Sequence, residues 1–277
     1  MSLRFYREGD SLLHRLNPVV KLIAFSTLMI APALFLNPVV PAIFLVLALL
    51  LGWGLGGLMP TKVLRALAPF LLLAAGLALF NTLFYGGPRA HLLAHLGPFK
   101  IWREALAVGT SIGLRLLCFA SYSALFVWTT MPSQLAASLI QQVRLPYQLA
   151  YAILAAYRFL PILQAELENI RAAHRVRGAY AERGLLAQWE HWRRYGVPLL
   201  ANGIRQAERL AIAMDARGFG ALPTRTHYVQ SRLTTHDFLF LASSLLTVVA
   251  ILLTLASLGL LQGLLAGPAE SLVGGSP

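Results

Sequence analysis

Apolar runs of about twenty residues, long enough to cross a hydrocarbon layer of about 30 Å as helices, constrain this chain more than anything else in it. Four such runs crowd the first 130 residues, and a fifth follows residue 236. Only 12% of the 277 residues are charged, against 57% hydrophobic. That is about half the charged share of a soluble domain. The chain is therefore expected to be an all-α membrane protein with about five transmembrane helices. The runs predict helices from Val19 to Leu36, Ala42 to Leu58, Ala66 to Tyr85, Glu104 to Trp128 and Asp237 to about Leu265. Asn37-Pro38 with Pro41 reads as a turn, Met59 to Arg65 as a short loop, and Gly86-Gly87-Pro88 opens a loop that reaches Arg103. Ala31-Pro32-Ala33 has the form of a signal cleavage site, but the polar segment before it is too long for one, so a first membrane helix is the better reading. The tail from Gly267 to Pro277 is expected to be disordered.

Charge orients the runs. With the N-terminus in the cytoplasm, the segments 1–21, 59–65 and 131–235 lie inside and hold nineteen of the twenty-three basic residues, while the outer segments hold three. Basic residues hold loops on the cytoplasmic side, so the net charge of +12 calls for no nucleic acid partner. The layout predicts a membrane domain over 1–130 with four spanning helices. Cytoplasmic helices follow over 131–235, and 236–277 supplies the last spanning helix and the tail. The lone cysteine, Cys118, falls within an apolar run, which excludes a disulfide framework and a cysteine-based metal site.

The 105 residues from Met131 to Thr235 hold no membrane-length run. Ser133 to Arg144 reads as a short helix that Leu145-Pro146 stops, and Tyr147 to Arg177 as a long one that Pro161 should kink or split. Pro198 is expected to open or kink a last helix, ended by Arg217-Gly218. Both long helices close on Arg-Gly, at Arg177-Gly178 and Arg217-Gly218, where glycine can serve as the left-handed stop. At 100° per residue, Leu210, Gly203 and Met214 lie within about 60° of Arg217, and Glu208 and Asp215 lie opposite. Ile170, Leu163 and His174 lie within about 60° of Arg177 in the same way, with Glu168 and Arg175 opposite. Each arginine thus ends an apolar stripe. A cation at a helix C-terminus is ordinary capping when it occurs once. Two such ends, each beside an apolar stripe, favour docking, because a guanidinium fork pairs bidentately with a carboxylate of a partner.

These residues carry a resemblance. His14-Arg15-Leu16-Asn17-Pro18 with Lys21-Leu22, Gly113-Leu114-Arg115-Leu116, Thr129-Thr130-Met131-Pro132, Tyr157-Arg158-Phe159-Leu160-Pro161 with Glu166, and Ala213-Met214-Asp215-Ala216-Arg217-Gly218 all resemble the transmembrane T component of energy-coupling factor (ECF) transporters, the EcfT/CbiQ family. The family's paired A-R-G motif is complete at Ala216-Arg217-Gly218, and at Val176-Arg177-Gly178 a valine stands in the alanine's place. The resemblance implies a non-catalytic scaffold, without a cofactor of its own, in the plasma membrane of a prokaryote. Its ATPase-coupling residues would be Arg177, Gly178, Ala216, Arg217 and Gly218, seated in two ABC-type ATPases. A membrane S component would bind the vitamin or transition metal ion. Leu163, Leu167, Ile170, Leu210 and Met214 would contact the S component or the scaffold itself, and Arg115 and Pro161 would be structural. The chain has no G-x-x-x-x-G-K-[ST] loop with which to hydrolyse ATP.

Two other readings compete. Gly109-Thr110-Ser111-Ile112-Gly113 spells the nucleophile-elbow string, which would make the chain an intramembrane hydrolase using Ser111 with His91 or His95. Small residues within an apolar helix more often allow close packing, and the two histidines lie in the expected loop without a carboxylate before Glu104, a poor metal site. A stand-alone solute carrier is the third class. Arg115 lies at membrane depth, where it is either functional or snorkels. Trp189, Trp192, Arg193 and Arg194 suit either lipid headgroups or the surface of the coupling helices.

Overall fold

The computed structural model describes residues 9, 11–85, 92–96, 99–176, 185–222 and 230–257. In chain order the elements are α1 (Leu12–Arg15), α2 (Pro18–Ile30) with a 3-10 turn (Ala31–Leu34), α3 (Val39–Gly54), α4 (Pro60–Leu83), β1 (Leu92–Leu96), β2 (Phe99–Trp102), α5 (Arg103–Thr129), α6 (Pro132–Gln142), α7 (Tyr147–Val176), α8 (Leu185–Ala216) and α9 (Thr235–Ser257). They form two compact units, one built on Pro132–Gln230 and the other on Phe5–Met131 with Ser231–Pro277.

The second unit holds the apolar helices. Among the described residues three of them, Thr61–Leu83, Arg103–Thr129 and Thr235–Ser257, are long and apolar enough to cross a membrane, and Pro18–Leu34 and Val39–Gly54 are shorter apolar helices. Such faces as Leu72 and Leu246, exposed by 81% and 72%, suit lipid. The first helix starts where expected, because Pro18 at its first position needs no hydrogen-bond partner and the Asn17 side chain accepts from the Val19 amide at 3.1 Å. It stops as an α-helix at Ile30, short of Leu36, since Pro32 lacks a donor and the chain tightens into the 3-10 turn. Residues 60–65, expected as a loop, are the opening turns of α4. Proline is favoured at a helix's first position, and Pro60 places Lys62 and Arg65 on the helix itself. The expected loop before Arg103 contains an antiparallel hairpin, β1 with β2.

The core of this unit is apolar and is fastened by polar atoms of α5. Phe25, Leu28, Phe44, Tyr122, Leu125 and Val248 form its centre. One turn apart on α5, Cys118 donates to the Pro41 carbonyl at 3.0 Å and the Tyr122 hydroxyl to the Phe44 carbonyl at 2.9 Å. Both bonds tie α5 to α3. Phe25 packs on Tyr122 and Phe240 at centroid distances of 5.8 and 6.3 Å, joining α2 to α5 and α9. Between α4 and α5 the backbones approach so closely that a Cβ at Gly113 would stand 2.9 Å from the Ala74 carbonyl. One at Gly109 would overlap Thr82 and the Ala78 carbonyl. The two glycines of the G-x-S-x-G string therefore serve helix packing. Ser111 is fully buried in mid-helix, outside the strand-to-helix turn that a nucleophile elbow requires. His95 stands on β1 and not in a loop, and His91 lies outside the described residues.

In the other unit, α6 spans Pro132–Gln142 and α7 spans Tyr147–Val176 without a break at Pro161. Likewise α8 begins at Leu185 and passes through Pro198, so the aromatic and basic stretch before Pro198 is helical. An interior proline costs a helix about 3 kcal/mol. Pairing of α7 with α8 offsets this. Asn202 donates to Glu166 at 2.5 Å, and His174 meets Tyr195 edge to face at 5.3 Å. Gly203 leaves room for Leu163, whose methyl would lie 3.6 Å from an added Cβ.

Candidate functional site

The end of α8 is built as a complete Schellman stop. The Gly218 amide donates to Asp215 at 2.9 Å and the Phe219 amide to Met214 at 3.0 Å, with Gly218 at a φ of +70°. The left-handed residue is thus the glycine expected from sequence. Arg217 stands at the cap position between them, its side chain exposed. The residues beyond the stop, Phe219 to Leu222, fold back on the start of α7. Phe219 meets Tyr147 and Tyr151 edge to face at 5.5 and 6.1 Å, and the Tyr147 hydroxyl donates to the Leu222 carbonyl at 3.0 Å. Gly220, at a φ of +90°, makes the second left-handed step of this return.

The clamp floors an open groove of about 770 Å³ between α7 and α8. Leu154, Phe159, Leu210 and Met214 give it apolar walls, and Arg158 and Arg217 line it as well. Among the described residues neither guanidinium makes a side-chain hydrogen bond or ion pair, and both are exposed. Two unpaired arginines beside an apolar groove suit a partner that offers carboxylates next to an apolar surface.

Of the residues singled out by sequence, Ala216, Arg217 and Gly218 lie together at this helix end. Arg177 and Gly178 lie outside the described residues; α7 is described as far as Val176, which is 90% exposed. Leu163, Leu167 and Ile170 on α7, with Leu210 and Met214 on α8, are all half-buried. Pro161 is an exposed residue of α7. Arg115 belongs to the membrane unit, where its guanidinium donates to the Phe35 carbonyl just past the 3-10 turn, tying α5 to the end of the first helix. Among the described residues no group of histidine, cysteine or acidic side chains could hold a metal ion.

Sequence reasoning missed Tyr147, Tyr151 and Phe219 as parts of this site and gave Arg158 no place in it. The available signal was two tyrosines one helical turn apart and an aromatic residue just past the glycine stop, where a Schellman turn makes its apolar contact. Replacing Gly218 by alanine puts a Cβ on a left-handed residue at a cost of about 1 kcal/mol. Gly218→Ala is therefore expected to speed hydrogen exchange of the Phe219 amide about fivefold. An unchanged rate would show that the stop does not depend on the glycine.

Residues 9–228 match the family described as cobalt transport protein, CbiQ. A curated protein of Heliobacterium modesticaldum, named energy-coupling factor transporter transmembrane protein EcfT, is 33% identical over 235 residues, covering 82% of this chain and 86% of its own length. A protein of the same name from Exiguobacterium sibiricum is 30% identical over 269 residues, covering 94% and 96%. A putative ABC transporter ATP-binding protein of Bifidobacterium longum is 29% identical over 252 residues, 88% of this chain but 32% of that longer protein.

Proposed function

This chain belongs to the CbiQ family, as a relative of the EcfT transmembrane proteins of energy-coupling factor transporters, and from that premise we propose that it is the scaffold and energy-coupling subunit of such an importer. It joins two ABC-type ATPases to an S component in the membrane. The observation that carries this reading is Arg217, offered at the tip of α8 by a glycine stop and an aromatic clamp, with no partner among the described residues and an apolar groove beside it. A backbone fixed before docking, as the glycine stop fixes this one, loses little further freedom on binding. Its natural partner is a carboxylate in an ATPase groove. The Bifidobacterium relative supports an ATPase as that neighbour, since the stretch similar to this chain lies within a protein named as ATP-binding.

Arg177 follows directly on the last described residue of α7 and serves as the second tip. Leu163, Leu167 and Ile170 act within the scaffold, as their partial burial supports, and Leu210 and Met214 line the groove. The S component is engaged by apolar faces of the coupling helices and determines which vitamin or transition metal ion is carried. The N-terminus is cytoplasmic, which keeps the basic segments on the side of the ATPases. The test is co-expression with the ATPases and S component of the same genome, followed by uptake into proteoliposomes. ATP-driven uptake is expected only with all components present. Transport by the purified chain alone would instead make it a carrier, and labelling of Ser111 by a serine-directed probe would make it a hydrolase.

A further inference from the structure

The membrane unit contains a buried polar cluster with no part in the arginine tips. Lys21 is fully buried at the end of the first turn of α2 and Asp237 is 1% exposed in the first turn of α9. Lys21 Nζ donates to the Thr129 carbonyl, the last residue of α5, at 2.8 Å. One turn earlier on α2, the Asn17 amide donates to Asp237 Oδ1 at 2.7 Å and the Asn17 side-chain Nδ2 to Ser231 Oγ at 3.0 Å. Asp237 Oδ2 accepts from both the amide and the hydroxyl of Thr234, each at 2.7 Å, which caps the start of α9. Both carboxylate oxygens are thereby used, and the opposite charges of Lys21 and Asp237 attract each other.

The place of these bonds in the chain gives them their meaning. The unit built on Pro132–Gln230 begins three residues after Thr129 and ends one residue before Ser231. The residues of the membrane unit that lead into and out of it, Thr129 and Ser231, about a hundred apart in sequence, are therefore gripped by one helical turn, Asn17–Lys21. Nothing in packing alone requires a lysine in this apolar interior, where an unpaired charge is costly. We propose that Asn17, Lys21 and Asp237 form a clasp that holds the entry and exit of the coupling unit to a single point of the membrane unit, so that the two junctions tighten and loosen together. In the importer proposed above, the clasp makes both ends of the coupling unit pull on α2 at once. Only that last consequence rests on the transport reading.

The test is hydrogen exchange on the full chain in lipid nanodiscs. Lys21→Met removes a bond to Thr129 and touches no amide at the other junction. It is nonetheless expected to speed exchange about tenfold at Thr234, whose amide Asp237 protects. Asp237→Asn acts from the other side and is expected to speed exchange about tenfold over Phe126–Thr129, the last turn of α5, whose end Lys21 holds. Lys21→Arg, which keeps charge and donor, is expected to restore most of the protection. If Lys21→Met does not fold, Asn17→Ala and Lys21→Arg still read the coupling. Loosening confined to the junction that each substitution touches, or no loosening, overturns the clasp. The experiment needs neither ATPase nor S component, so its outcome is independent of the transport assignment.

Discussion

Replacing both arginine tips, Arg177→Ala together with Arg217→Ala, is expected to abolish ATP-driven uptake while membrane insertion and yield stay normal. Removing one partner of a desolvated, hydrogen-bonded charge pair costs about 2–5 kcal/mol, much of it from the carboxylate left behind. Each tip is then worth about 30-fold or more in ATPase affinity. Insertion survives because both arginines lie outside the apolar runs of the sequence, and the described tip, Arg217, makes no side-chain bond among the described residues. Uptake into proteoliposomes, read alongside co-purification of the ATPases, checks this. Normal transport with normal ATPase recovery in the double variant would sink the coupling role of the tips. Losing the chain from the membrane would show the arginines to be structural.

The largest expected effect on stability comes from Asp237→Ala. It leaves the amides of Asn17 and Thr234 and the Thr234 hydroxyl without their acceptor. A buried donor left unsatisfied costs about 1–3 kcal/mol, so the three together cost about 3–5 kcal/mol. In a chain of this size that corresponds to a fall in Tm of about 10 °C, measured by thermal unfolding in detergent. Asp237→Asn, which keeps one acceptor oxygen, is expected to lose less. A shift below about 2 °C for Asp237→Ala would mean that the carboxylate is dispensable to the fold.

The sequence made the apolar helices legible because a bilayer demands long apolar runs: all five expected runs are helical, and among the described residues three are long enough to cross. It also made the stop at Gly218 legible, since only a residue free of a Cβ takes that φ without strain. Proline misled in both directions. Pro60 starts α4 inside what read as a loop, and Pro161 and Pro198 interrupt nothing, because contacts between α7 and α8 outweigh a missing hydrogen bond. The hairpin of β1 and β2 escaped notice because Leu-Leu-Ala-His-Leu lacks the strict alternation by which a strand is read. The bond of Lys21 escapes notice for a related reason. Charge counting treats every lysine near a membrane helix as a topology signal, yet this one is also fully buried and donates to the Thr129 carbonyl, 108 residues away. Long-range pairs of that kind leave no periodic trace. The same holds for Tyr147, Tyr151 and Phe219, which meet only because α8 returns to the start of α7.

Arg217 is the proposed point where ATPase motion enters the membrane subunit. Equilibrium titration of the purified ATPase pair against the full chain in lipid nanodiscs, wild type beside Arg217→Ala, addresses this directly. The account predicts at least about a 30-fold weaker affinity for the variant, with the difference narrowing as salt rises. Equal affinity of the two proteins for the ATPases would contradict it.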